Sequence, residues 1–145
     1  MSSINITQLQ TIDGANNNVK LFSPFTTTIK LVVDFNLSAD FLTMQNVKLR
    51  VMFEIIEFST NNVVVYHSHD FNYSSNLGQS LFAWEGDPTP HQLGLQWVGP
   101  GRGNVFGFRA AVEASSLQGQ NGQIAIDALA VSDVRWFRLK DEYSL

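Results

Sequence analysis

Apolar side chains recur at every second position through two long stretches of this chain. Leu31, Val33, Phe35 and Leu37 alternate with Lys30, Asp34 and Asn36, and Val47, Leu49, Val51, Phe53 and Ile55 alternate with Lys48, Arg50 and Glu54. Successive side chains of a strand point to opposite faces, so each run offers one apolar face to a core. A helix would scatter the same residues around its circumference, so both runs are expected to be strands. Shorter runs follow the same logic: Ile4 to Ile12, Leu93-Leu95-Trp97, and Phe106-Phe108-Ala110-Val112, with two further strands at 122–129 and 131–139. Val63 to Tyr66 is apolar on both faces, which fits a central strand or one covered by a partner.

Turn chemistry separates these runs. Asp13-Gly14, Asn61-Asn62, Gly99 to Asn104 and Gly119 to Gly122 supply residues that accept the positive φ of tight turns. Asn61-Asn62 is expected to close a hairpin, and loops are expected at 72–80 and 84–91. Residues 38–46 form the one stretch suited to a short helix, with Ser38 as its cap. Eight or nine short strands divided by turns describe an all-β fold, and their uneven spacing favours a two-sheet β-sandwich over a closed barrel. Immunoglobulin-like and jelly-roll-like sandwiches both fit. The stretch from Asn104 to Glu113 resembles the late strand of many immunoglobulin-like sandwiches, a likeness of ten residues that implies architecture alone. No repeat, low-complexity tract or linker divides residues 1–145, which read as a single domain.

Composition narrows the partners. Charged residues are 15% of the 145 and the net charge is −4, with Asn, Gln, Ser and Thr filling the deficit. An acidic chain with scattered Lys and Arg lacks the basic stripe of a nucleic-acid binder. A weakly self-repelling surface of amides and hydroxyls suits contact with glycans, with another protein, or with copies of the same chain in a homo-oligomer. No apolar run approaches the roughly 18 residues that cross a bilayer as a helix. The Met1-Ser2-Ser3-Ile4-Asn5 start carries no basic and apolar signal pattern, so a cytoplasmic protein, or one released by a signal-independent route, is expected. With no cysteine there is no disulfide framework and no thiolate chemistry.

Three constellations are candidates for chemistry. Trp84-Glu85-Gly86-Asp87-Pro88-Thr89-Pro90-His91 sets an aromatic ring, two carboxylates and an imidazole in a proline-stiffened loop. Sugars stack an apolar C–H face on such rings and donate hydroxyls to such carboxylates, and Tyr73 from the preceding loop can join the rim. The alternative is that Trp84 folds back as a cap on the sandwich. His67 and His69 share one strand face, close enough to grip one metal, with His91, Asp70 or Asp87 as third ligand. A His-x-His pair in a small β-protein resembles part of the cupin metal site, but Phe71-Asn72-Tyr73 stands where that pattern has its glutamate, and solvent-facing histidines are the simpler reading. Val63 and Val65, with Arg135, Trp136 and Phe137, are candidates for an interface between chains, because apolar groups on both faces of a strand call for a second cover.

Catalysis is not expected. Glu85 and Asp87 lie too close along one loop to flank a glycosidic bond at the roughly 5–9 Å separations that such chemistry uses. Gly99 to Asn104 joins two strands, not a strand and a helix, and no Gly-x-Ser-x-Gly elbow occurs. No cofactor is implied. A non-catalytic assembly or binding module is the leading expectation, ahead of a carbohydrate-binding sandwich and a small metal-dependent enzyme.

Overall fold

The computed structural model describes residues 2–44, 46–73, 76–96, 104–118 and 123–140. Nine strands run in the order β1 (Ile4–Ile12), β2 (Leu21–Phe22), β3 (Lys30–Leu37), β4 (Val47–Glu57), β5 (Val63–Asn72), β6 (Gly78–Phe82), β7 (Val105–Gln118), β8 (Gln123–Val131) and β9 (Arg135–Leu139). They form a three-stranded sheet, β1-β3-β6, packed on a six-stranded sheet, β2-β9-β7-β4-β5, with β8 also pairing β7. The protein is an all-β sandwich. Among the described residues no helix is long and apolar enough to cross a membrane.

The alternating rows meet between the sheets. Leu31, Val33, Phe35 and Leu37 of β3 face Leu49, Val51, Phe53 and Ile55 of β4 and Phe106, Phe108, Ala110 and Val112 of β7, all nearly inaccessible to solvent. Each such Val, Leu, Ile or Phe side chain contributes about 1.5–3 kcal/mol through burial. β7 is long enough to pair β4 along one side and two strands along the other, with Val105–Phe108 against β9 and Ala111–Gln118 against β8. β8 and β9 part at Ser132, whose backbone N–H donates to Ala110 O (2.9 Å) while its Oγ accepts from Ala110 N–H (2.9 Å). Across the sandwich, the Arg135 guanidinium donates to Thr11 Oγ1 (2.9 Å) and Asn18 Oδ1 (2.7 Å), tying the six-stranded sheet to the end of β1. Burial pushes that guanidinium below its ordinary pKa.

Several expectations need correction. No strand runs from Leu93 to Leu95: Leu93 N–H donates to Thr89 and Pro90 carbonyls, Leu95 N–H donates to Pro90 O, and Gly94 has φ +86°. The two prolines and this glycine wind the segment into turns, and Leu95 reaches the core from a turn. Trp97 lies outside the described residues, as do residues 99–103 and 119–122. The stretch expected as a loop at 72–80 contains the start of β6, and Val63–Tyr66 belongs to an edge strand, since β5 pairs only β4 among the described strands. The expected helix is one 3-10 turn at Ala39–Thr43; Ser38 makes no side-chain cap, its Oγ instead accepting Ser3 N–H (2.9 Å). Asn61 does turn the β4–β5 hairpin at φ +59°, and in the first turn the positive φ falls on Asn16, not Gly14.

Candidate functional site

The row Val65, His67, His69, Phe71 faces inward from β5, but an edge strand has a neighbour on one side only, so these side chains stay half-buried. β6 ends beside them. Ala83 is fully buried, and the chain then leaves the sheet with Trp84, whose Nε1–H donates to Ile29 O (3.3 Å). Gly86 turns at φ +93°, Pro88 O accepts Ile29 N–H (2.9 Å), and Thr89 and Gln92 close a turn by reciprocal side-chain-to-backbone bonds of 2.9 and 3.2 Å. Tyr66, His67, Trp84, Glu85, Asp87 and Gln92 thereby line an open groove of about 520 Å³.

The histidine pair has a defined arrangement. His69 Nε2 lies 2.6 Å from Ala83 O and 3.2 Å from His67 Nε2. A carbonyl only accepts, so His69 Nε2 carries a hydrogen and its lone pair is not presented to a metal. The contact links the edge of the six-stranded sheet to the end of β6 in the other. Burial, with the neighbouring His69, lowers the pKa of His67. His91 stands apart: its ring packs on Phe25 (4.8 Å between centroids) and its N–H donates to Pro24 O (2.9 Å). Among the described residues no three His, Asp or Glu side chains come together to hold a metal.

The lowered His67 value carries a sign that can be measured. The unfolded imidazole, near 6.5, takes up a proton before the folded one does. The stability is fully present above the unfolded value and is lost as pH falls through the lower folded value. The thermal midpoint of the native chain is therefore expected to drop more steeply than that of His67→Gln between pH 7.5 and 5. Parallel curves for the two proteins would contradict this account.

Of the proposed sugar rim, the groove unites Trp84, Glu85 and Asp87. Tyr73 is not part of it: the ring packs on Phe41 (6.0 Å) and its Oη is buried. Tyr66 and Gln92 join the rim, and neither was legible, because Tyr66 reaches it from another strand.

The candidate interface residues divide similarly. Phe137 is 2% exposed and belongs to the core, Val65 points inward, and Arg135 is engaged with Thr11 and Asn18. Val63 and Trp136 face out. Strand register aligns Trp136, Gly107, Ile56 and Val63 in one row across the outer face of the six-stranded sheet. Trp136 lies over Gly107 and meets Phe58 edge-on at 5.4 Å. Phe58 is 63% exposed, Tyr66 57%, Val63 46%, Val64 40% and Trp136 40%, so one end of this face is apolar. Paired charge adjoins it: Arg109 with Glu54 (2.6 Å) in the row of Tyr66, and Arg50 with Asp70 (2.8 Å) further along β4 and β5, the Arg50 guanidinium holding the Asp70 carboxyl below the usual carboxylate range. Phe58, Val64 and Tyr66 belong to this exposed apolar patch, and only register reveals which exposed side chains share a row. No protein-family model, curated protein or solved structure matches this chain.

Proposed function

We propose that this chain is a non-catalytic assembly and binding module of immunoglobulin-like build, which associates with a second copy of itself through β5. The connectivity supports the build. With the two-residue β2 set aside and β8–β9 taken as one broken strand, strands one, two and five share one sheet and the remaining four share the other.

The observation that carries self-association is the exposed β5 edge. An edge strand leaves alternate N–H and C=O groups without a strand partner, and protein edges are commonly blunted by Lys, Pro or a bulge. β5 has its irregularity at Val64, which the register skips at the Ile55/Ile56 step, and runs regularly from Val65 onward. Its first four residues are Val-Val-Val-Tyr, with neither Lys nor Pro, and its one acidic group, Asp70, is held by Arg50. Two copies related by a two-fold axis offer each other the same patch. Antiparallel pairing centred on Val65 sets Val64 beside Tyr66 of the second copy on the outer face and keeps the two Asp70 carboxylates apart.

Light scattering over a concentration series tests this. The native chain is expected at twice its monomer mass. Val64→Lys, at a position already in solvent, is expected to keep the fold and weaken association about tenfold or more, by setting ammonium groups against the apolar edge. A native chain that stays monomeric at the highest concentration, or a Val64→Lys protein that associates unchanged, would overturn the proposal.

A further inference from the structure

We infer that the groove beside Trp84 is a binding site for a neutral oligosaccharide, which runs from Trp84 across Asp87 into the adjoining depression. The groove borders the β5 edge, whose Val65, Tyr66 and His67 line it, but the side chains that select the ligand lie on the segment after β6.

The chemistry of the lining selects the ligand. No Lys or Arg lines the groove, while Glu85 and Asp87 both do, so a phosphate or carboxylate would meet repulsion with no compensating cation. Two carboxylates are acceptors for hydroxyl groups. Gln92 adds the opposite polarity: its Oε1 accepts Thr89 N–H (2.9 Å), which orients the amide and leaves Nε2 to serve as a donor. A site for a cationic amine has no use for a donor, whereas a sugar hydroxyl both gives and accepts hydrogen bonds. The half-buried Trp84 is fixed by its bond to Ile29 O and packed edge-on against His67 (6.4 Å), so its ring is held in place before a ligand arrives. A fixed aromatic face costs little ordering when the C–H face of a pyranose stacks on it.

Asp87 also sets the length. It lines a second depression of about 520 Å³, together with Asp13 and the hydroxyl-bearing Thr26, Thr27 and Thr28. Asp87 borders both hollows, and the second adds the carboxylate of Asp13 and three hydroxyls. One sugar ring at Trp84 therefore continues into a second subsite, and a chain of several rings gains contacts that a single ring lacks.

A glycan array carrying neutral, acidic and amino oligosaccharides, followed by calorimetry with the best neutral tetrasaccharide and its monosaccharide, tests the inference. Neutral glycans are expected to bind, the tetrasaccharide about tenfold or more tighter than the monosaccharide. Asp87→Ala is expected to weaken tetrasaccharide binding about tenfold and to erase its advantage over the monosaccharide, and Gln92→Ala to weaken both. Trp84→Ala is expected to abolish binding; because it also removes a structural bond, Trp84→Phe is the companion variant, expected to fold and retain binding through its ring. No neutral hit on the array, binding of acidic or amino glycans alone, or affinity unchanged in folded Asp87→Ala would each overturn the inference.

Discussion

Phe53→Ala is expected to lower the unfolding free energy by about 3–5 kcal/mol, the range for removing a buried aromatic ring. Phe53 is 1% exposed at the middle of β4, stacked on Phe108 (6.1 Å between centroids, 15° between planes) and edge-on to His69 (6.1 Å). Truncation deletes both contacts, and the flanking strands, paired on each side of β4, cannot close over the void. The loss corresponds to a thermal midpoint about 10 °C lower for a chain of this size. Phe58→Ala is the control. The same ring is 63% exposed there, and its loss is expected to cost under about 1 kcal/mol. Equal shifts in the two melting curves would mean that the core does not lie where these strands place it.

Phe53 was legible from the sequence for a plain reason. β3, β4 and β7 sit inside their sheets, so the apolar row of each is long and unbroken, and alternation alone gives strand, face and core together. Where burial is partial the pattern thins. β6 carries Gly78-Gln79-Ser80 before its first apolar residue, and only its pairing with β3, from Asn36 opposite Gly78 to Val32 opposite Phe82, identifies it as a strand. Leu93 and Leu95 show the converse. Period two is present, yet Pro88, Pro90 and Gly94 fix the backbone elsewhere, and turn chemistry overrides the pattern.

The site was legible to the extent that it is local. Trp84, Glu85 and Asp87 lie within four residues of one another, so sequence proximity places them on one rim. Tyr73 is also near in sequence, but the chain passes from one sheet to the other between β5 and β6, which sends its ring to Phe41 instead. His91 is turned away by the bonds that wind residues 89–95. Tyr66 and Gln92 enter the groove by strand pairing and by turn closure, and no spacing rule encodes either.

Gly107→Val is expected to cost about 3 kcal/mol, at the upper end of the range for forcing extra methyl groups into packed structure. A Cβ at Gly107 would lie 2.4 Å from Val134 Cγ1 and 2.8 Å from Trp136 Cζ3, distances that neither side chain can keep. A strand interior otherwise gains about 0.5–1 kcal/mol when glycine becomes alanine, so Gly107→Ala pits that gain against the clash. The clash is larger, because Val134 is β-branched with restricted χ1 and the indole of Trp136 is held between Gly107 and Phe58. Gly107→Ala is therefore expected to destabilise by about 1–2 kcal/mol, and combining it with Val134→Ala to recover at least half of the loss, as a coupled pair should in a double-mutant cycle followed by urea unfolding. The same substitution lifts Trp136 off β7 and loosens the apolar end of the outer face, so near-ultraviolet dichroism of the tryptophans is expected to change along with stability. Additive costs in the cycle, with an unchanged aromatic signal, would show that Gly107 is not there to let Trp136 lie against the sheet.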